Sequence, residues 1–505
     1  MIGLSFISFP IAFLIVLAIS LLSAIFLFYP RVPVTFVRIH IGLISLPPIV
    51  ALLALVFDHR NVFLGPWQFD SLSWLIALFV LTINLFVQRY SVHYLLGDCS
   101  YRTYFALLTF TTVADSVAWL SDDLRWLLAC WGATLLGLTW LIRLKKEWHV
   151  ARNAAFLSGR LFLMSWLILL VAILWMAHVT GHWQVSLILT PTSLAEFSSW
   201  ERTSINLLLV VAVIIPAAQW PFQRWLLDSV VAPTPISAVM HAGIVNAGGL
   251  LLTLFAPIFN DSAAQMVLLV WCSLSVLIGT GIMLVQVDYK RQLVGSTMAQ
   301  MGFMLIQCAL GAYWAAIAHA ILHGVFKATL FLRAGSAIEH NKPLSRYAPY
   351  SLFWNVIGVV LGLIVGIVVW LTSRGHVYQL VSAIFLGWSV SLAWTKLVAQ
   401  GYGRIGRIAG ASLFAGVAVV FYMTHNAFYL LLQAAVQKGL QPPILSGILL
   451  VFLLFLGSFI GSWFVRRQSS TSFAILYLWL VHLSEPQNDS VEIHPTYLIK
   501  SLTRR

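Results

Sequence analysis

Charge is what this sequence has least of. Only 9% of its 505 residues are Asp, Glu, Lys or Arg, while 60% are hydrophobic and the mean hydropathy is +0.92. A chain of that length and polarity cannot hydrate its own surface, so lipid is expected to be its main solvent and a soluble enzyme is excluded. Cysteine is nearly absent: Cys99, Cys130, Cys272 and Cys308 are scattered, three of them in apolar stretches, with no CxxC and no Cys/His spacing. Such a scatter suits packing rather than a disulfide or a metal site. Missing too are a phosphate-binding glycine loop, an HExxH helix, a nucleophile elbow and paired catalytic carboxylates. The chain itself is therefore expected to do no enzymatic chemistry and to hold no cofactor or metal.

What the sequence has instead is a repeating apolar rhythm. Runs long enough to cross a hydrocarbon core of roughly 30 Å recur about fifteen times. They fall at 9–29, 37–57, 70–90, 104–121, 124–142, 156–178, 204–227, 235–255, 265–287, 291–311, 313–337, 351–372, 377–399, 410–432 and 441–464. The expected fold is all-α: a polytopic membrane protein with a transmembrane helical domain over 1–465 and a cytoplasmic tail over 466–505. The first run has no charged leader and no small-residue cleavage site, so it reads as a retained helix. In the tail, the apolar patch 473–482 is short for a crossing and reads as an interfacial helix or as a docking element for a cytoplasmic partner.

The formal net charge of +13 points to topology rather than to nucleic acid. With the N-terminus outside, 22 of the 29 Lys and Arg residues fall on the cytoplasmic side, among them Arg31, Arg38, Arg102, Lys145, Lys290, Lys342, Arg346, Arg404, Arg466 and Arg505. Five, namely Arg60, Arg125, Arg202, Arg374 and Lys438, fall outside, and Lys327 and Lys396 stay within the membrane. This bias is the positive-inside pattern of an odd number of crossings with a cytoplasmic C-terminus. Lys396, near the cytoplasmic end of its run, reads as a snorkelling side chain.

Two segments interrupt the rhythm. In 214–226, Pro216 and Pro221 each remove a backbone donor and must break or kink the seventh run, whose freed carbonyls then need partners or water. In 232–243, Pro233 and Pro235 suit the start of a helix, and Ser237 and His241 then lie one turn apart on one face.

Ionisable groups inside lipid are costly, by about 2.5–3.5 kcal/mol each on insertion scales, so each is a functional candidate. The sharpest set is His319, His323 and Lys327, spaced i, i+4, i+8 and hence on one stripe of one helix. Imidazole accepts a proton on one nitrogen while donating from the other, and an amine among apolar groups can load and release one. A lone membrane histidine is more often a packed one, but three aligned titratable groups reverse that balance. His241 would continue the track; alone, it reads equally well as a helix-packing hydrogen bond. Asp115 is the one carboxylate well inside a run, a natural proton or cation acceptor that as a structural residue would need a nearby donor. The residues together read as an ion or proton pathway.

Four ordered motifs sharpen this. They are Ala218-Gln219-x-Pro221-x-Gln223-x-Trp225-Leu226 leading to Asp228, the stretch from Ala232 to His241, the stretch from Asp288 to Gly302, and His319-x-x-x-His323-x-x-x-Lys327. They resemble the proton-conducting membrane subunits shared by respiratory complex I, the NAD(P)H dehydrogenases and Mrp-type cation/proton antiporters. That resemblance implies an antiporter-like bundle with two inverted five-helix repeats and discontinuous helices.

The family's pump element pairs a glutamate after a tryptophan in the fifth span with a lysine in the broken seventh. Here Trp131 is followed by Gly132, and the lysine position falls on Pro216, so both halves of that pair are absent. These losses resemble the divergent DabB branch, membrane subunits of two-component inorganic-carbon accumulation systems in prokaryotic cell membranes. The resemblance implies H⁺ or Na⁺ flux coupled to a large cytoplasmic DabA-like partner, a zinc protein resembling a carbonic anhydrase that makes bicarbonate from CO2. It further implies that His241, His319, His323 and Lys327 form the relay, with Asp115 taking over part of the missing glutamate's role. A proton-pumping subunit of an NAD(P)H:quinone oxidoreductase or antiporter, and a passive membrane anchor whose channel has decayed, are the competing readings.

Overall fold

The computed structural model describes residues 8–485, apart from 59, 260, 335–351, 373–376, 400–402, 434, 437–441 and 468. The tail after Glu485 and the loop residues Lys342, Arg346, Arg374 and Lys438 thus lie outside the described residues. In chain order the helices are α1 (Ser8–Leu27), α2 (Phe36–Ile44), α3 (Leu46–Phe57), α4 (Ser71–Tyr94), α5 (Tyr101–Leu120), α6 (Leu124–Ile142), α7 (His149–Thr180), α8 (Val185–Ile188), α9 (Pro191–Glu196), α10 (Ser199–Ile214), α11 (Arg224–Asp228), α12 (Thr234–Ala242) and α13 (Ala247–Leu254). They continue with α14 (Ser262–Val285), α15 (Tyr289–Ala309), α16 (Tyr313–Leu332), α17 (Leu352–Thr372), α18 (Val377–Trp394), α19 (Gly403–Leu432), α20 (Ile444–Arg466) and α21 (Thr471–Ser484). One two-stranded antiparallel hairpin, β1 (Val62–Leu64) and β2 (Trp67–Phe69), precedes α4.

Every expected apolar run lies on a helix or a pair of helices. Among the described residues, however, twelve spans rather than fifteen are both long and apolar enough to cross a membrane. The remaining three are α5, α10 and α15. α10 has 16 residues because Pro216 stops it early. α5 carries Thr109, Thr111, Thr112, Asp115 and Ser116, all buried, so its polar side is turned into protein rather than lipid. α15 does the same with Thr297.

The discontinuities fall where the prolines are, and at one place where there is none. After α10 the backbone is irregular until α11, and its freed carbonyls find protein donors: Trp225 Nε1 donates to Ile215 O at 2.8 Å and Gln219 Nε2 to Ala217 O at 2.8 Å. Of the two expected outcomes, partners or water, side chains supply these bonds. Pro233 caps α12 and Pro235 sits in its first turn, as suits a residue without an N–H. The expected eighth run then breaks again at Gly243, passing through a 3₁₀ turn over Ile244–Asn246 before α13. No proline marks this second break.

Burial is uneven along the chain. Of the apolar window in the α12–α13 span 89% is buried, against 6% in the α19 span. α12 packs on α16, α4 and α6, and the largest fully buried side chains include Trp74, Trp131, Trp225, Tyr104 and Tyr313. α21 lies against α14, where Leu480 is buried and Gln286 donates to Ser484 Oγ.

Candidate ion pathway

α16 sets His319, His323 and Lys327 on one stripe, and that stripe faces a cavity of about 660 Å³ bounded by α15, α16, α19 and the start of α18. His319 stands between two glutamines of α15: Nδ1 is 3.1 Å from Gln307 Oε1 and Nε2 is 3.0 Å from Gln300 Oε1. Two amide oxygens suit the doubly protonated ring, and turning one amide to present its NH₂ suits the neutral ring. His319 can thus change charge without losing a hydrogen bond. The His323 ring lies 6.2 Å away, centroid to centroid, is 6% exposed, and has no protein partner at Nε2. Lys327 is 1% exposed and donates to Leu293 O at 2.9 Å. It has three donors, and that carbonyl takes one.

His241 joins this set through α15. Thr297 Oγ1 donates to Leu293 O at 2.9 Å, the same carbonyl that receives Lys327, and His241 Nδ1 lies 3.0 Å from Thr297 Oγ1. Since the threonine gives its proton to Leu293, the imidazole N–H must donate to it. His241 and Lys327 are therefore two ends of a three-bond bridge. The His241 ring is fully buried and stacks on Phe331, one turn beyond Lys327, with centroids 4.3 Å apart. Its Nε2 has no protein partner. A buried nitrogen left unpaired costs about 1–3 kcal/mol, so the unpaired nitrogens of His241 and His323 mark places that favour water or a proton.

α16 is locked against α12 here. A Cβ on Gly324, between His323 and Lys327 in sequence, would stand 2.5 Å from Ala242 O and 2.3 Å from Phe79 Cζ, so only glycine lets the helices approach this closely. Asn246, in the second break, ties the same pair by donating to Ala242 O and to Ala320 O.

Asp115 is not part of this track. It is 6% exposed on α5, accepts from Trp119 Nε1 at 2.9 Å, and lines a separate cavity of about 20 Å³ with Asn84, Thr112, Thr134 and the α12 break at Gly243. The helix break thus separates the carboxylate from the imidazole stripe. Pro216 is buried in the irregular segment after α10. At the place of the absent glutamate, a Cβ on Gly132 would stand 2.9 Å from Trp166 Nε1, which itself donates to Leu128 O at 2.9 Å. An indole fills the space. Two ion pairs lie outside the track: Arg125 with Asp123, at the start of α6, and Lys145 with Asp98, in loops. Burial pushes the Asp98 carboxyl up, yet Lys145 and the Ser100 N–H outweigh it and hold the group below its ordinary range.

Several polar residues escaped the sequence reading. Thr297 and Gln300 lie inside a recognised motif but carry no charge to draw notice. His425 of α19 and Tyr378 of α18 line the large cavity opposite the stripe. Elsewhere, His40 of α2 is fully buried, with Nδ1 2.7 Å from Ser23 Oγ and Nε2 3.0 Å from Thr109 Oγ1, which also accepts from Gln88 Nε2 at 2.8 Å. A histidine alone on its own helix gives no periodic signal.

Helices broken inside a bundle, around a line of imidazole and amine groups, define a membrane ion-translocating class. The chain belongs to the NADH:quinone oxidoreductase/Mrp antiporter membrane family: the family described as "NADH:quinone oxidoreductase/Mrp antiporter, TM" matches residues 121–401, and "NADH-Ubiquinone oxidoreductase (complex I), chain 5 N-terminus" matches 66–105. All four motifs fall within the first match. The fold agrees with a chain of the "Structure of Mrp complex from Dietzia sp. DQ12-45-1b", with a TM-score of 0.64 and 20% identity over 97% of this chain and 62% of that one. Within the family the likeness narrows to DabB. The chain is 55% identical over 499 residues, 99% of each chain, to the "Probable inorganic carbon transporter subunit DabB" of Bacillus subtilis (strain 168). It is 30% identical over 471 residues, 88% of this chain and 87% of the other, to the subunit of that name from Hydrogenovibrio crunogenus (strain DSM 25203 / XCL-2). The resemblance drawn from the motifs therefore holds.

Proposed function

We propose that this chain is the ion-translocating membrane subunit of an inorganic-carbon accumulation complex, and that ion flow through it drives CO2 hydration to bicarbonate on a cytoplasmic partner. Catalysis and zinc belong to that DabA-like partner in this reading. The observation that carries it is the His319–His323–Lys327 stripe on a cavity, with buried imidazole nitrogens that no protein group satisfies. Imidazole and amine groups carry protons and repel metal cations once charged, which favours H⁺ over Na⁺ as the coupling ion. Asp115, across the α12 break, is a second proton-holding group in place of the family's glutamate. The basic loops face the cytoplasm and the partner, as the charge bias supports. The test is Lys327→Met in cells producing both subunits: gradient-driven bicarbonate accumulation and carbon-dependent growth are lost while the complex still assembles. Uptake at the unaltered level in that variant overturns the reading.

A further inference from the structure

The track described so far has an inner end and no outer port. His241 and Lys327 meet at Leu293, four residues into α15, whose first turn carries Lys290 and Arg291. His319 lies at the far end of the stripe, six residues from the start of α16. Moving from Lys327 to His319 therefore leads away from the end of the bundle that bears Lys290, Arg291 and Arg333.

Across the large cavity from His319 stands α19, running from Arg404 and Arg407 toward that opposite end, with His425 in its last third. His425 and Thr424 line the same cavity as His319 and Gln307. The His425 ring meets the indole of Trp314 edge to face, centroids 5.0 Å apart at 78°, and stacks on Phe421 at 5.9 Å. Trp314 lies in the first turn of α16 and is flanked as well by Tyr429, at 5.6 Å. An aromatic cage favours a cationic ring over a neutral one. His425 lies beside Trp314, in the first turn of α16, and so stands nearer that opposite end than His319, His323 or Lys327.

We propose that His425, held by Trp314, is the outer port of the proton track: it takes a proton from the face opposite the basic loops and passes it across the cavity to His319. The step is balanced as one proton, which leaves a His425 nitrogen and binds a His319 nitrogen through water in the cavity; no other bond is made or broken. This inference rests on the proton-translocating reading above and adds an entry point to it.

The test uses membrane vesicles carrying the whole complex, with proton flux read by a pH-sensitive dye under an imposed potassium–valinomycin potential. His425→Gln keeps polarity and size but carries no proton, and is expected to lower flux about tenfold with normal assembly. His425→Lys, which again offers a protonatable nitrogen, is expected to recover a substantial part of it. Flux unchanged in His425→Gln, with Lys327→Met still abolishing it, overturns the outer port and leaves the track standing. Flux unchanged in both variants overturns the proposed function itself. Should His425→Gln fail to assemble, Trp314→Leu is read instead: lowered flux supports the outer port and unchanged flux overturns it.

Discussion

Two histidine sites in this bundle are both buried and yet are opposites. At His40 every polar atom of the ring is matched. Ser23 gives its hydroxyl proton to Ser20 O at 2.7 Å, so His40 Nδ1 donates to Ser23, and Nε2 accepts from Thr109, whose oxygen is held by Gln88. At His241 and His323 one nitrogen is left without a partner, and the second of these rings borders a cavity. The same side chain thus closes one part of the bundle and opens another. Saturation makes a histidine a strut, and a missing partner makes it a carrier.

That contrast can be broken by substitution, and the largest effect is expected at the open site. His323→Ala should lower gradient-driven bicarbonate accumulation about a hundredfold, equivalent to about 2.7 kcal/mol on the transport barrier, while thermal unfolding in detergent stays nearly unchanged. Comparable transport in that variant would erase the distinction. His40→Ala should do the reverse. It strands Ser23 and Thr109 and lowers stability by about 1–3 kcal/mol, seen as a lower melting temperature, while transport per folded complex is retained. Asp115→Asn keeps the bond to Trp119 but cannot take a proton, and a several-fold fall in uptake is expected; wild-type growth on limiting inorganic carbon would remove it from the mechanism. The smallest effect is expected from Gly132→Ala, where the new Cβ disturbs the Trp166 bond to Leu128 at about 1 kcal/mol, readable by the same melting assay.

The sequence made the stripe on α16 legible because three titratable residues at helical spacing point one way whatever surrounds them. The proline break after α10 was legible for the same local reason. The bridge through Thr297 was not: it joins three helices by neutral groups, and nothing within α15 alone distinguishes a bridging threonine from one bonded to its own helix. His40 was missed likewise, since its partners come from α1, α4 and α5. The second break, at Gly243, carries no proline, and its stabilising contacts come from Asn246 and from α16. A hydropathy threshold passes fewer spans than the runs counted by length because α5 and α15 turn a polar side inward, and hydropathy averages over a face that lipid never meets.

Gly324 has a wider implication. Where an alternating-access carrier rocks one helix group past another, the surfaces between them must have slack, and at this crossing there is none: a methyl group would already collide with the neighbouring backbone. The α12–α16 crossing beside Lys327 therefore has no room to slide, and the movements left to it are small ones, such as a ring turning over.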